Sequence, residues 1–69
     1  MISVRFVWKD GSVFDQRTLS LVPRMGEGVI IDGFRGFVGA VSHVLEGDSQ
    51  EVVVTILETE EAKRFLGGT

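Results

Sequence analysis

The sequence predicts an all-β protein, a small five-stranded SH3-like barrel with a short C-terminal helical turn. An OB-type barrel fits less well because the chain is short for it. Three observations carry this reading. Ile2, Val4, Phe6 and Trp8 alternate strictly with Ser3, Arg5, Val7 and Lys9, the period of a strand with one buried face. Asp10-Gly11, Asp32-Gly33 and Glu46-Gly47-Asp48-Ser49 punctuate the apolar runs where hairpins would turn. Gly36 and Gly39 interrupt the long run from Phe34 to Leu45, as expected where a barrel must curve sharply or another backbone approaches closely.

The first strand ends at Asp10-Gly11, a pair suited to a two-residue type I′ turn because both central positions of that turn need positive φ. A second strand then runs from Ser12 to about Leu19. A two-residue turn sets Trp8 opposite Val13, Phe6 opposite Asp15, Val4 opposite Arg17 and Ile2 opposite Leu19, which places Asp15 and Arg17 on the apolar face. Either these two pair at the rim of the sheet, or a bulge or longer turn flips the strand and points Phe14, Gln16 and Thr18 the other way. Pro23 cannot donate to a ladder, so a loop is expected from about Pro23 to Glu27, with Gly26 and Gly28 flanking Glu27. Val29, Ile30 and Ile31 form a short third strand, and the chain returns along Phe34 to Leu45 as a long, bent fourth. After the Glu46 to Ser49 turn, Glu51 to Leu57 makes a Val-rich fifth. In the final segment Ala62, Phe65 and Leu66 fall at helical spacing, Glu60 is placed to pair with Arg64, and Gly67 is a natural stop. So short a helix needs Phe65 and Leu66 to dock, on the open end of the barrel or on a second copy.

The 69 residues are read as one domain, residues 1–69. A domain of this size buries only about 60% of the surface its unfolded chain exposes, so a partner would help it. The chain has no cysteine, which excludes disulfides, thiolate metal sites and cysteine nucleophiles. No signal-peptide pattern and no membrane-spanning apolar run is present, and a cytoplasmic setting is expected. Charge is uneven: residues 1 to 45 sum to +1 and residues 46 to 69 to −4, for a total of −3. Duplex nucleic-acid binding normally needs a dense basic stripe, which this sequence lacks.

The run Pro23-Arg24-Met25-Gly26-Glu27-Gly28-Val29, followed by Gly36 to Leu45, resembles a group of small phage and bacterial β-barrel proteins. Their recurring pattern is a Pro-x-x-Gly-Glu-x-Val turn and then a Val-x-x-Val-x-His-x-Leu strand. The resemblance covers roughly the middle third of the chain. It implies a barrel fold and a mobile-element origin, and it carries no activity and no functional residue with it. Compact phage proteins of this size often act by binding a host factor or signalling molecule, which makes host inhibition an expectation by analogy.

Six residues stand out as candidates for binding: Trp8, Arg24, Phe34, Arg35, Phe37 and His43. His43 is the one side chain with an ordinary pKa near neutrality, and lies on the face of Val41 and Leu45 if the strand is regular there. The bland alternative is a half-buried strand histidine bonded to a neighbour. Phe34, Arg35 and Phe37 put two aromatics and a guanidinium beside a hairpin tip, a composition typical of binding hot spots. The competing reading fills the barrel with both phenylalanines and leaves Arg35 solvated. Trp8 could line a peptide groove, although Phe6 and Val4 beside it in the alternation argue for the core, and the acidic loop and tyrosines of peptide-binding SH3 domains are missing. Gly26-Glu27-Gly28 lacks the Lys-Ser/Thr and long helix of a phosphate loop. Glu58, Glu60 and Glu61 read as a solvated helix start rather than a metal cluster.

These features predict no enzyme and no cofactor, since no nucleophile or acid-base pair occurs at a meaningful spacing. The leading expectation is an interaction module that occupies a host protein, as a homo-oligomer. Capture of a small anionic ligand such as a nucleotide signal is the alternative, at a seam between subunits where Arg24, Arg35 and His43 face the anion and Phe34 or Phe37 stacks on the base. A third reading is single-stranded nucleic-acid binding on a barrel surface, against which the net acidity counts.

Overall fold

A computed structural model describes residues 1–64, the side chains of Glu61 and Ala62 excepted. Five strands form one strongly curled sheet: β1 (Ile2–Val7), β2 (Val13–Leu19), β3 (Gly28–Ile31), β4 (Phe34–Glu46) and β5 (Ser49–Leu57), followed by the single turn α1 (Thr59–Ala62). The order across the sheet is β2-β1-β5-β4-β3. The protein is all-β, a half-barrel consistent with a small SH3-like barrel. All neighbours are antiparallel except β1 and β5, which run parallel at the centre with Val4 beside Val52 and Phe6 beside Val54.

The concave face holds the core. Val4, Phe6, Ile31, Val38, Val52, Val54 and Ile56 are buried there as one cluster, with Ile2, Leu19, Val22, Val29 and Val41 packed around it. Val7 and Leu57 are buried apart from that cluster, on the opposite face by strand alternation. No buried side-chain polar atom among the described residues lacks a partner, so the small core carries no desolvation penalty of that kind.

The first hairpin corrects the expected two-residue turn. The Gly11 N–H donates to the Trp8 carbonyl at 2.9 Å and the Trp8 N–H to the Ser12 carbonyl at 2.9 Å, so the loop is the three residues Lys9 to Gly11. Gly11 has φ 93 while Asp10 stays out of the positive region, the pattern of a type I turn closed by a left-handed glycine. Asp10 accepts from both the Ser12 N–H (2.9 Å) and the Ser12 hydroxyl (2.7 Å) through one carboxylate oxygen, which holds its pKa below the ordinary carboxylate value. The longer loop shifts pairing by one residue, giving Val7 opposite Val13. A bulge at Phe14 shifts it back, so Phe6 faces Asp15, Val4 faces Arg17 and Ile2 faces Leu19, as the sequence predicted.

The first alternative for strand two is the one realised, and the bulge and longer turn move Phe14 alone without flipping Gln16 and Thr18. Asp15 and Arg17 stay on the apolar side and pair at its rim, Arg17 Nε to Asp15 Oδ2 at 2.6 Å. The bulge turns Phe14 into contact with Trp8 and Phe34, with ring centroids 4.6 and 5.3 Å away. Trp8 and Phe34 complete the trio at 5.1 Å, edge to face, a geometry favoured by the ring quadrupoles. Arg17 also reaches Asp32 at 3.0 Å, from the edge strand β2 across to the turn that closes β3. The aromatic trio and this ion pair span the opening between the two edges of the sheet.

Asp32 (φ 48) and Gly33 (φ 87) both adopt positive φ, and Ile31 pairs directly with Phe34. This is the type I′ turn that the second Asp-Gly pair predicted. In β4 the ladder to β5 slips between Val38 and Ala40, leaving Gly39 as a bulge. A Cβ on Gly39 would lie 2.7 Å from Leu57 Cγ, and one on Gly36 would lie 2.8 Å from Ile56 Cγ2. Side chains press on both positions; the backbone approach expected from the sequence is present at Gly36, where the Leu57 carbonyl oxygen would lie 3.1 Å from the added carbon, while at Gly39 the close atoms are those of the Leu57 side chain. Past the bulge the ladder to β5 continues without a further shift to Glu46 opposite Ser49, at the Gly47-Asp48 turn. In α1, Glu60 meets Lys63 at 3.8 Å rather than the expected Arg64. The expected docking of Phe65 and Leu66 and the stop at Gly67 lie outside the described residues.

Candidate interaction surface

The motif residues of the 23–29 turn do structural work. The Glu27 N–H donates to the Arg24 carbonyl at 3.0 Å, and Gly26 takes φ 90, which the third position of such a turn requires of glycine. The Glu27 carboxylate folds back to accept the Arg24 N–H at 2.5 Å. The turn is then fastened to β4 by reciprocal bonds: Gly26 N–H to the Val38 carbonyl at 2.8 Å and Val38 N–H to the Glu27 carbonyl at 2.9 Å. Proline, glycine and glutamate thus build a rigid corner and leave the side chains of Arg24 and Met25 exposed on it.

The Val-x-x-Val-x-His-x-Leu spacing has an equally local cause. Val38 and Val41 both pack on the core although three positions separate them, because the Gly39 bulge consumes one residue. Beyond it period two returns, so His43 and Leu45 continue on the concave side of Val41, with His43 opposite the buried Val52. There the barrel opens. His43 is exposed rather than the half-buried, bonded histidine of the bland reading.

Corner and strand meet at this mouth. Val22, Pro23, Arg24, Met25, Val41 and His43 line an open depression of about 310 Å³. On the other side of the same loop, a broader one of about 630 Å³ runs from Leu21 to Gly28 and Val29 of β3. Met25 in the first depression and Leu21 in the second are 66% and 81% exposed, and Leu45, two residues beyond His43 on the same strand face, is 70% exposed, apolar side chains that a marginal domain does not leave in water without cost. The Arg24 guanidinium has no carboxylate partner among the described residues, whereas Arg5 is paired with Glu51 at 3.0 Å and Arg17 with two aspartates.

The six candidates of the sequence divide among three places. Arg24 and His43 come together at the mouth. Trp8 and Phe34 pack with Phe14 at the seam. Arg35 and Phe37 lie on the outer face of the β3–β4 hairpin, opposite Ile30 and Gly28, with Arg35 exposed and Phe37 half-buried beside its cross-strand partner Leu57. Within a single chain Arg24 and His43 therefore have neither Arg35 nor a phenylalanine beside them in the depression. Sequence reasoning missed Leu21, Met25 and Leu45, which an alternation count treats as loop or core, and Phe14, which only the bulge brings inward. The available signal was the three-residue step from Val38 to Val41, which already encodes the bulge and the face of Leu45.

The fold and this surface define a class: a small curled β-barrel presenting an apolar, weakly cationic mouth. No family model, curated protein or solved structure matches the chain.

Proposed function

We propose that the chain is a non-enzymatic interaction module, an accessory protein of a phage or other mobile element, that binds and blocks a host protein in the cytoplasm through this mouth. The observation that carries the reading is the depression that Arg24, Met25 and His43 share at a rigid corner, with exposed Leu21 lining the adjoining depression and exposed Leu45 two residues beyond His43 on the same strand face. Apolar anchors rimmed by a guanidinium are what protein-binding hot spots use. The barrel supports the surface without contributing chemistry to it. The likeness of the turn and strand motifs to small phage barrels supports the mobile-element origin.

The test is photo-crosslinking from position 25 in host cells, with and without Leu45→Asp. One crosslinked host protein, lost on Leu45→Asp and lost in activity when the wild-type chain is expressed, is the expected result. An unchanged crosslink pattern in the variant sinks the proposal.

A second reading rests on the shared depression of Arg24 and His43: capture of a small anion without base stacking in the single chain. Calorimetry with a panel of nucleotides and inorganic phosphate decides it, binding heat that disappears in Arg24→Gln supporting it and the absence of heat ending it.

A further inference from the structure

The sheet has two free edges, and that of β3 is built unlike a protected one. Its residues Gly28, Val29, Ile30 and Ile31 carry no charge and no proline, the usual devices against edge pairing. The ladder to β4 fixes which backbone groups are free. Ile31 closes the type I′ turn against Phe34, so Ile31 and Val29 bond inward to β4, and the Val38 N–H to Glu27 carbonyl bond continues the same alternation. The N–H and C=O groups of Gly28 and Ile30 therefore point outward, away from the sheet.

The side chains on the outer face are self-complementary about Val29. Ile30, 67% exposed, stands beside Arg35, while two residues away Gly28 leaves an empty position over Phe37, whose Cε1 lies 3.6 Å from where a Gly28 Cβ would be. A two-fold axis through Val29 sets Gly28 of one chain opposite Ile30 of the other. Four backbone hydrogen bonds form, and each Ile30 drops into the space above the partner copy's glycine and against its phenylalanine. The outer-face row then reads Arg35, Ile30, glycine, phenylalanine across the junction, and is repeated in reverse by the two-fold.

We propose that β3 pairs antiparallel with β3 of a second copy of this chain, joining two half-barrels into one continuous sheet. This contact borders the broader depression at Gly28 and Val29, but it uses none of the side chains of Leu21, Arg24, Met25, His43 or Leu45 and does not rest on the function proposed for them. Two four-residue strands make a small interface, so the affinity belongs to the weak class, micromolar to millimolar.

The test is sedimentation of the full chain over a wide concentration range, with two variants. Gly28→Val fills the empty position, and its Cβ meets only an ordinary contact within the monomer. Ile30→Pro deletes an N–H that the β3–β4 ladder does not use. Expected is a concentration-dependent dimer that each variant weakens by about tenfold or more with circular dichroism unchanged, and Gly28 and Ile30 amides whose exchange slows as concentration rises. A monomer at every concentration, a dimer that survives Gly28→Val, or fast exchange at both amides in the dimer overturns the proposal. Should Ile30→Pro fail to fold, Gly28→Val and the amide readout decide alone.

Discussion

Replacing Gly36 with alanine tests how the barrel is packed at its tightest point. The new Cβ would sit 2.8 Å from Ile56 Cγ2, 2.9 Å from Phe34 Cε2 and 3.1 Å from the Leu57 carbonyl oxygen. Carbon pairs rest at about 3.5–4.0 Å, so two side chains must retreat. Ile56 is fully buried and Phe34 is held by Trp8 and Phe14, which leaves neither an easy way out. Overpacking of this kind costs roughly 1–3 kcal/mol, and contacts on three sides place Gly36→Ala at the upper end. The lost freedom of the unfolded chain returns about 0.4–1 kcal/mol. The net of about 2 kcal/mol lowers the melting temperature by roughly 8–16 °C in a domain of this size. Gly28→Ala is the matched control, since its Cβ meets Phe37 at an ordinary 3.6 Å and its φ is not positive. It keeps the entropic gain alone, and its melting temperature rises by a few degrees. Both are read by thermal circular dichroism at low concentration, where association does not contribute. A Gly36→Ala protein melting at or above the wild type would refute the packing argument, as would equal shifts in the two variants.

Further outcomes follow from the same geometry. The hydrogen bond from Arg17, and then that from the Gln16 N–H, hold the Asp15 carboxyl below the ordinary range. Its contribution is thus fully present above the unfolded value of about 3.9 and is lost as pH falls through the lower folded pKa. In Arg17→Gln the Asp15 carboxyl-carbon titration moves up toward the ordinary value, and an unmoved midpoint would show that the pair is not formed in solution. Gly11→Ala costs about 1–2 kcal/mol from its φ of 93 alone, since nothing lies within 4 Å of the added carbon. Gly11→Asn should cost clearly less in urea melts, and equal losses would contradict a backbone origin. Phe34→Leu removes two edge-to-face contacts, lowers stability by about 1 kcal/mol or more and shifts Trp8 fluorescence to the red. Unchanged emission would mean that the trio does not pack as described.

How much of this was legible in the chain depends on the kind of signal. Strand number, the second hairpin and the core face of β1 follow from period two and from Asp-Gly chemistry, which are local. The register of β2 was written in the sequence only as a conflict, a charged Asp15 and Arg17 on an apolar face. Its resolution needed Asp32, brought near by the curl of the sheet, and a bulge that moves Phe14 while leaving the register beyond it intact. The parallel pairing of β1 with β5 is invisible to any local pattern, because nothing in Val4 or Val52 specifies the other. For the mouth, the sequence offers Arg24 and His43 only among six candidates. That these two share one depression, and that Arg35 and the two phenylalanines do not join them, depends on how the Pro23 corner is tied to Val38.

That central β1–β5 ladder also sets the order in which the molecule can come into being. The first hairpin, β1–β2, and the meander β3–β4–β5 each form from neighbours in sequence, but the strand ladder between them is the one where Val4 to Val7 meet Val52 to Thr55. Such long-range closure is slow, and domains dominated by it fold in milliseconds to seconds. During synthesis the inner edge of β1 waits, unpaired, until the last strand arrives. A chain cut short before β5 is therefore not a smaller barrel but two hairpins, β1–β2 and β3–β4, with no ladder between them and their apolar faces in water, a target for chaperones and proteases rather than a partial binder.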